Sequence, residues 1–227
     1  MPGCINGKKG FSAQCAQPRS YHRASMLEQR IQQHFIDSAD LKYQASQALS
    51  QPIGSAVQAM LACVTSGGKV LACGAGASAS DAQLFASLCV AGFERDRPEL
   101  AALALACEGG LLGTVGATGS GGNATQYLAR QVRALGQPGD LLLTMSVSGN
   151  DVAVLEAVDA AHERDMMVVV LSGRTGGALA ARVRETDVLI CVPHDRAARV
   201  RETHTLVLHC LCDGVDAQLL GDQEMPL

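Results

Sequence analysis

Apolar and polar positions divide the chain into three parts: an aperiodic polar start, a helical stretch, and a long alternation of short apolar runs with mixed segments. Residues 1–25 are polar, carry glycine and show no period. They lack the apolar core of about 7–15 residues that a secretory signal needs. They read as a disordered or non-native tail, with Met26 as an alternative start. From Leu27 the apolar residues Ile31, Phe35, Leu41, Ala45 and Leu49 approximate a helical stripe. Pro52 suits the first turn of a second helix over 52–66, which Gly67-Gly68 ends. Two helices over 26–66, ahead of any strand, read as packing or oligomerisation elements.

Five short apolar runs follow, Val70–Cys73, Leu100–Ala106, Leu141–Met145, Met166–Leu171 and Val188–Val192. Helical patterns begin at Ser78 and span Ala124–Leu135, 151–164, Ala178–Arg184 and Ala197–Leu220, while Glu108 to Thr118 stays ambiguous. Strands that are continuously apolar are buried on both faces. The expected fold is α/β: a doubly wound, flavodoxin-like three-layer sandwich with a five-stranded parallel sheet over 67–227. With the leading helices it makes one structural domain, 26–227. A ligand site belongs at the carboxyl ends of the strands.

Composition narrows the picture. Aromatics are 3% and Trp is absent, so the core is built from Leu, Val and Ala. A net charge of −4 without a basic run argues against direct nucleic-acid binding. No apolar run approaches the ~20 residues that span a bilayer. The nine Cys include no C-x-x-C, and Cys63, Cys73, Cys107, Cys191 and Cys210 lie in apolar runs. They read as buried reduced thiols of a cytoplasmic protein.

Two strand-to-helix turns carry the candidate chemistry. Gly74-Ala75-Gly76-Ala77 is a small-residue turn, with Ser78 as N-cap and Asp81 in the first helical turn. Such a turn lets a phosphate approach helical N–H groups, so Gly76 and Ser78 are candidate phosphate contacts. Ser146-Val147-Ser148-Gly149-Asn150, straight after a buried strand, offers two hydroxyls and backbone N–H groups to one anion. It adds Ser146, Ser148 and Asn150 to the candidate phosphate contacts. Arg196, Arg199 and Arg201 enter the last helix, and Arg199 with Arg201 form a possible anion clamp.

These loops, with RVRETHTLVLHCLCDGVD in the last helix, resemble the sugar isomerase (SIS) domain. FERDRPEL, QVRALGQPGDLLL and HCLCDGVD point to the group holding phosphoheptose isomerase and DiaA, the DnaA initiator-associating protein. The resemblance covers about 26–221 and implies a homotetramer with a sugar-phosphate site shared between subunits. In that group a glutamate and a histidine move a proton through an enediol, with a histidine and a glutamine assisting at zinc in some members. The family histidine of the last helix falls on His209, the remaining catalytic candidate. The glutamate falls on Leu88, the other histidine on Leu84, and the glutamine on Arg201. The family Asn-Asp pair falls near Ala117-Thr118, and Asp151 replaces a serine where its charge opposes phosphate.

A leucine cannot move a proton, a function worth about 10²–10⁴-fold per group. Asp81 is about 10 Å along the helix from Leu88 at ~1.5 Å per residue, which leaves Glu108 as the substitute carboxylate. His204 and Glu202 read as contacts to neighbouring subunits. Neither zinc nor another cofactor is expected, since His209 alone of the implied ligand positions remains. The resulting expectation is a sugar-phosphate-binding regulator of the DiaA type, with DnaA as its partner and Leu219-Leu220 as a partner contact. The alternative is a sedoheptulose 7-phosphate isomerase with a rearranged site.

Overall fold

Five parallel strands form one sheet in the order β2-β1-β3-β4-β5, where β1 is Val70–Gly74, β2 Ala102–Ala104, β3 Leu141–Ser146, β4 Met167–Gly173 and β5 Val188–Val192. The computed structural model describes residues 20–105 and 124–221, with side chains from Ser25. The order reverses between β1 and β3, which pair directly from Val70↔Leu141 to Gly74↔Met145. That reversal is the switch point where doubly wound sheets hold ligands. The expected α/β sandwich is the observed fold.

Alternate strand residues feed two cores. Val70, Ala72, Leu141, Leu143, Met145, Val169 and Leu171 pack on one face, with residues of α2 (Ser78–Ala91) and α6 (Ala197–Leu220). Leu71, Cys73, Leu142, Val168 and Val170 pack on the other, with α3 (Tyr127–Leu135) and α4 (Val152–Glu163). A 3₁₀ turn, Ala124–Gln126, leads into α3. Burial on both faces explains why these strands read as continuous rather than alternating runs.

Three expectations are corrected. A single helix, α1 (Ser20–Thr65), runs through Pro52 in place of two. The proline forfeits one helical hydrogen bond at a cost of about 3 kcal/mol. Leu41, Ala45, Leu49, Ala56, Met60 and Cys63 nevertheless stay in phase across it and are all buried, so one packed stripe holds both halves. The second strand is three residues long, although Leu105 extends the ladder by donating its N–H to the Ala72 carbonyl at 2.8 Å. Among the described residues it is an edge strand, paired with β1 alone. The helix expected over Ala178–Arg184 is one turn, α5 (Gly177–Ala180), because Arg182 and Val183 both donate back to the Leu179 carbonyl.

The chain divides into two compact units, Met1–Ala39 and Asp40–Leu227. In the first, Met26, Leu27, Ile31, Phe35 and Ile36 of α1 are exposed. The second contains the sheet and everything described below. Among the described residues no helix is long and apolar enough to cross a membrane.

Candidate functional site

A cavity of about 510 Å³ opens at the switch point. The β1–α2 turn contributes Ala75, Ala77 and Ser78, the β3–α4 loop Val147, Ser148 and Asp151, and the start of α6 Ala197, Ala198 and Arg201. The volume suits a small metabolite.

The first turn is tighter than its sequence suggests. A Cβ on Gly74 would stand 2.5 Å from the Ser78 carbonyl oxygen, so glycine is required by close approach. Ser78 is not the N-cap: Ala77 holds that position, with no side-chain cap, and Ser78 is the first helical residue and is buried. The N–H groups of Ser78, Ala79 and Ser80 donate to the carbonyls of Ala75, Gly76 and Ala77 at 3.1–3.2 Å. The turn therefore satisfies with its own carbonyls the donors expected to face a phosphate. Gly76 takes φ +55° with open space around it, so it serves the turn's conformation.

The second loop is also engaged with itself. Ser146 is buried; its hydroxyl donates to Asp151 Oδ2 at 2.5 Å and accepts the Gly149 N–H at 2.9 Å. The exposed Ser148 hydroxyl accepts the Asn150 N–H at 3.1 Å and stands 3.4 Å from the same Asp151 oxygen. Asn150 braces α5: its Oδ1 accepts the Ala178 N–H at 3.0 Å and its Nδ2 donates to the Ser148 carbonyl at 3.1 Å. Gly149 packs so tightly on this segment that a Cβ would fall 1.9 Å from the Gly176 carbonyl oxygen. Of the three expected phosphate contacts here, only Ser148 lines the pocket, and Asp151 joins it.

The arginines separate. Arg201 lines the pocket and grips Asp81 with both arms of its fork, Nε to Oδ2 at 2.9 Å and Nη2 to Oδ1 at 3.1 Å. That bond pushes the guanidinium above the ordinary arginine value. Arg199 is buried and pairs with Glu202 at 3.0 Å, outside the pocket lining, so the two do not form one clamp. His209 is half-buried, its ring centroid 5.2 Å from that of Phe93, and it does not line the pocket. His204, expected at a subunit contact, is fully buried. Its Nε2 stands 3.2 Å from the Ser172 carbonyl, which only accepts, so the proton sits on Nε2. Burial pushes this imidazole below its ordinary value. Cys210 is exposed rather than buried.

Leu84 is exposed, Leu88 packs against the core, and Leu219 and Leu220 are exposed at the end of α6. Glu108, Ala117, Thr118 and Cys107 lie outside the described residues. Among the described residues no three His, Cys, Asp or Glu side chains group where they could hold a metal. Leu84 and Leu88 supply no donor, and Arg201 is held by Asp81, so these residues do not fit a zinc ion.

Sequence reasoning singled out Asp81, Asp151 and Arg201 one at a time and missed their partnerships. Asp81 and Arg201 are 120 positions apart, and only the packing of α2 against α6 joins them. The Asp151–serine contacts had a local signal, a carboxylate three and five residues after the two hydroxyls.

Fold and pocket together define a doubly wound α/β protein with a pocket at its switch point, lined by Asp151 on one wall and Arg201 on another. Residues 33–173 match the SIS domain model, and the chain belongs to that family. It is 58% identical over 200 residues to a phosphoheptose isomerase of Methylibium petroleiphilum, covering 88% of this chain and 98% of that one. It is 47% identical over 192 residues to a phosphoheptose isomerase of Dechloromonas aromatica, covering 85% and 96%. Among solved structures it resembles phosphoheptose isomerase GmhA from Neisseria gonorrhoeae, with TM-score 0.77 and 44% identity over 84% of this chain and 99% of that one.

Proposed function

We propose that this chain binds a phosphorylated sugar in the switch-point pocket and that its reaction is the aldose–ketose isomerisation of a heptose phosphate. One observation carries the reading: 58% identity to a phosphoheptose isomerase along 98% of that protein's length. The pocket's size and its opposed charges suit a phosphorylated polyol. Isomerisation of sedoheptulose 7-phosphate needs a group that takes a proton beside a carbonyl and returns it. Among the described residues Asp151 is the carboxylate that lines the pocket, and His209 is the candidate carried over from the family. The test is to incubate the full chain with sedoheptulose 7-phosphate and follow aldose phosphate formation, with Asp151→Asn and His209→Ala alongside. Turnover that one of these substitutions removes supports the reading. No turnover over a range of phosphosugars and divalent metals overturns the isomerase.

A second reading, a regulator that binds a sugar phosphate without turning it over, is favoured by a specific feature. The family's acid–base and metal positions hold Leu84, Leu88 and an arginine already paired with Asp81. Its partner would be DnaA, docking on the exposed Leu219 and Leu220 of a homotetramer. Retention of purified DnaA by the chain, lost in Leu219→Ser/Leu220→Ser, supports it; no retention removes it.

A further inference from the structure

The pocket has two charged walls, and they are arranged against the obvious seating of a phosphate. On the serine loop, the hydroxyl of Ser146 donates to Asp151 Oδ2, and Ser148 approaches the same oxygen. A phosphate placed there finds the Ser146 donor already committed and a carboxylate at contact distance, which repels it. Across the pocket, Arg201 spends two of its five N–H groups on Asp81 and is 38% exposed on its side chain. The remaining donors belong to the one cation on the pocket lining among the described residues. Asp81 fixes the plane of the fork, so the guanidinium is positioned before any ligand arrives. Asp151, for its part, has acceptor capacity left, and sugar hydroxyls are donors.

Resting on the sugar-phosphate reading above, we infer that the ligand lies with its phosphate against Arg201 and its hydroxyl-bearing end on Asp151. Arg201 is then the phosphate-recognising residue, Asp81 positions it, and Asp151 selects a polyol. The serine loop orients Asp151 and does not itself hold the phosphate. This arrangement favours phosphorylated sugars rich in hydroxyls over small phosphorylated acids, whose carboxylate would meet Asp151.

Calorimetric titration of the full chain with sedoheptulose 7-phosphate and with inorganic phosphate tests the orientation. The variants are Asp151→Asn, Ser148→Ala and the paired Asp81→Asn/Arg201→Gln, which leaves no lone buried charge. The paired variant is expected to weaken both ligands at least tenfold. Asp151→Asn is expected to weaken the sugar phosphate at least tenfold and to leave inorganic phosphate within threefold. Ser148→Ala, a substitution at an exposed side chain, is expected to leave inorganic phosphate within threefold, and it keeps the test decisive if the paired variant does not fold. Tighter binding of both ligands by Asp151→Asn, or a tenfold loss of inorganic phosphate in Ser148→Ala, places the phosphate on the serine loop. Either result overturns the orientation and leaves sugar-phosphate binding standing. A wild-type chain that binds neither ligand overturns both.

Discussion

Two arginine–aspartate pairs join the α2 segment to α6, and they differ in what surrounds them. Arg97, just after α2, meets Asp216 of α6 with both side chains sealed, at 1% and 2% exposure. Arg201 of α6 meets Asp81 of α2 at the pocket, where the arginine is 38% exposed and the aspartate 7%. The sealed arginine also donates to the carbonyls of Leu88 at 3.2 Å and Cys89 at 2.8 Å. These are last-turn carbonyls of α2, which lack helical partners and need outside donors. Every arm of Arg97 is thus spent on structure, whereas Arg201 keeps donors facing a cavity. Burial, not residue type, separates a structural pair from one open to a ligand.

The largest effect that tests this contrast is Arg97→Leu. It leaves Asp216 charged and buried and strips the end of α2, so we expect a loss of about 3–5 kcal/mol. For a chain of this size that is a fall in melting temperature of roughly 10 °C. Calorimetric melting measures it; a fall of a degree or two would mean that water reaches Asp216 and that the two pairs are alike.

Arg201→Leu is the next largest. Asp81 loses two hydrogen bonds while nearly buried, but the cavity admits water to replace them, and the cost is about 1–2 kcal/mol. The paired Asp81→Asn/Arg201→Gln removes both charges together and should return to within about 1 kcal/mol of wild type. Urea unfolding of the single and paired variants measures both losses. A paired variant less stable than Arg201→Leu would show that the ion pair is itself structural.

The same contrast marks what the sequence made legible. Strand positions were readable because five runs such as LLLTM and VLICV are apolar on both faces, and a parallel sheet is their one economical partner. The turns Gly74–Ser78 and Ser146–Asn150 were readable as neighbours because the topology puts them side by side at the switch point, where both contribute to one pocket. What those turns do with their polar groups was not readable. Ser78 was expected as a cap, yet backbone carbonyls took the donors it was to organise. Asn150 was expected on a ligand, yet it caps α5 across 28 positions. Pro52 marks a helix start by local rules and was overruled by a buried stripe in phase on both sides of it. Local chemistry is written in the sequence, whereas the partner that satisfies each polar group is chosen by tertiary packing.

The smallest expected effect is a pH dependence along α6, between the two pairs. His204 lies three residues past Arg201 on that helix and is fully buried. Burial lowers its imidazole below the ordinary 6.5, while the Ser172 carbonyl and the Asp81 carboxylate pull it back upward. The unfolded chain therefore takes up the proton first as pH falls. Its contribution to stability is fully present above about pH 6.5 and is lost progressively below that value. His204→Gln keeps an amide donor for the Ser172 carbonyl and removes the titration. Urea unfolding at pH 7.5 and 5.5 should show wild type losing more stability between the two than the variant does. Combining that substitution with Asp81→Asn/Arg201→Gln sharpens the comparison, with wild type, each variant and the combination as the four chains. Without the nearby carboxylate the upward pull on the imidazole weakens, so Asp81→Asn/Arg201→Gln should steepen the acid loss, provided His204 is present. An acid loss equal in all four chains would detach His204 from the pocket pair and leave Asp81 acting on Arg201 alone.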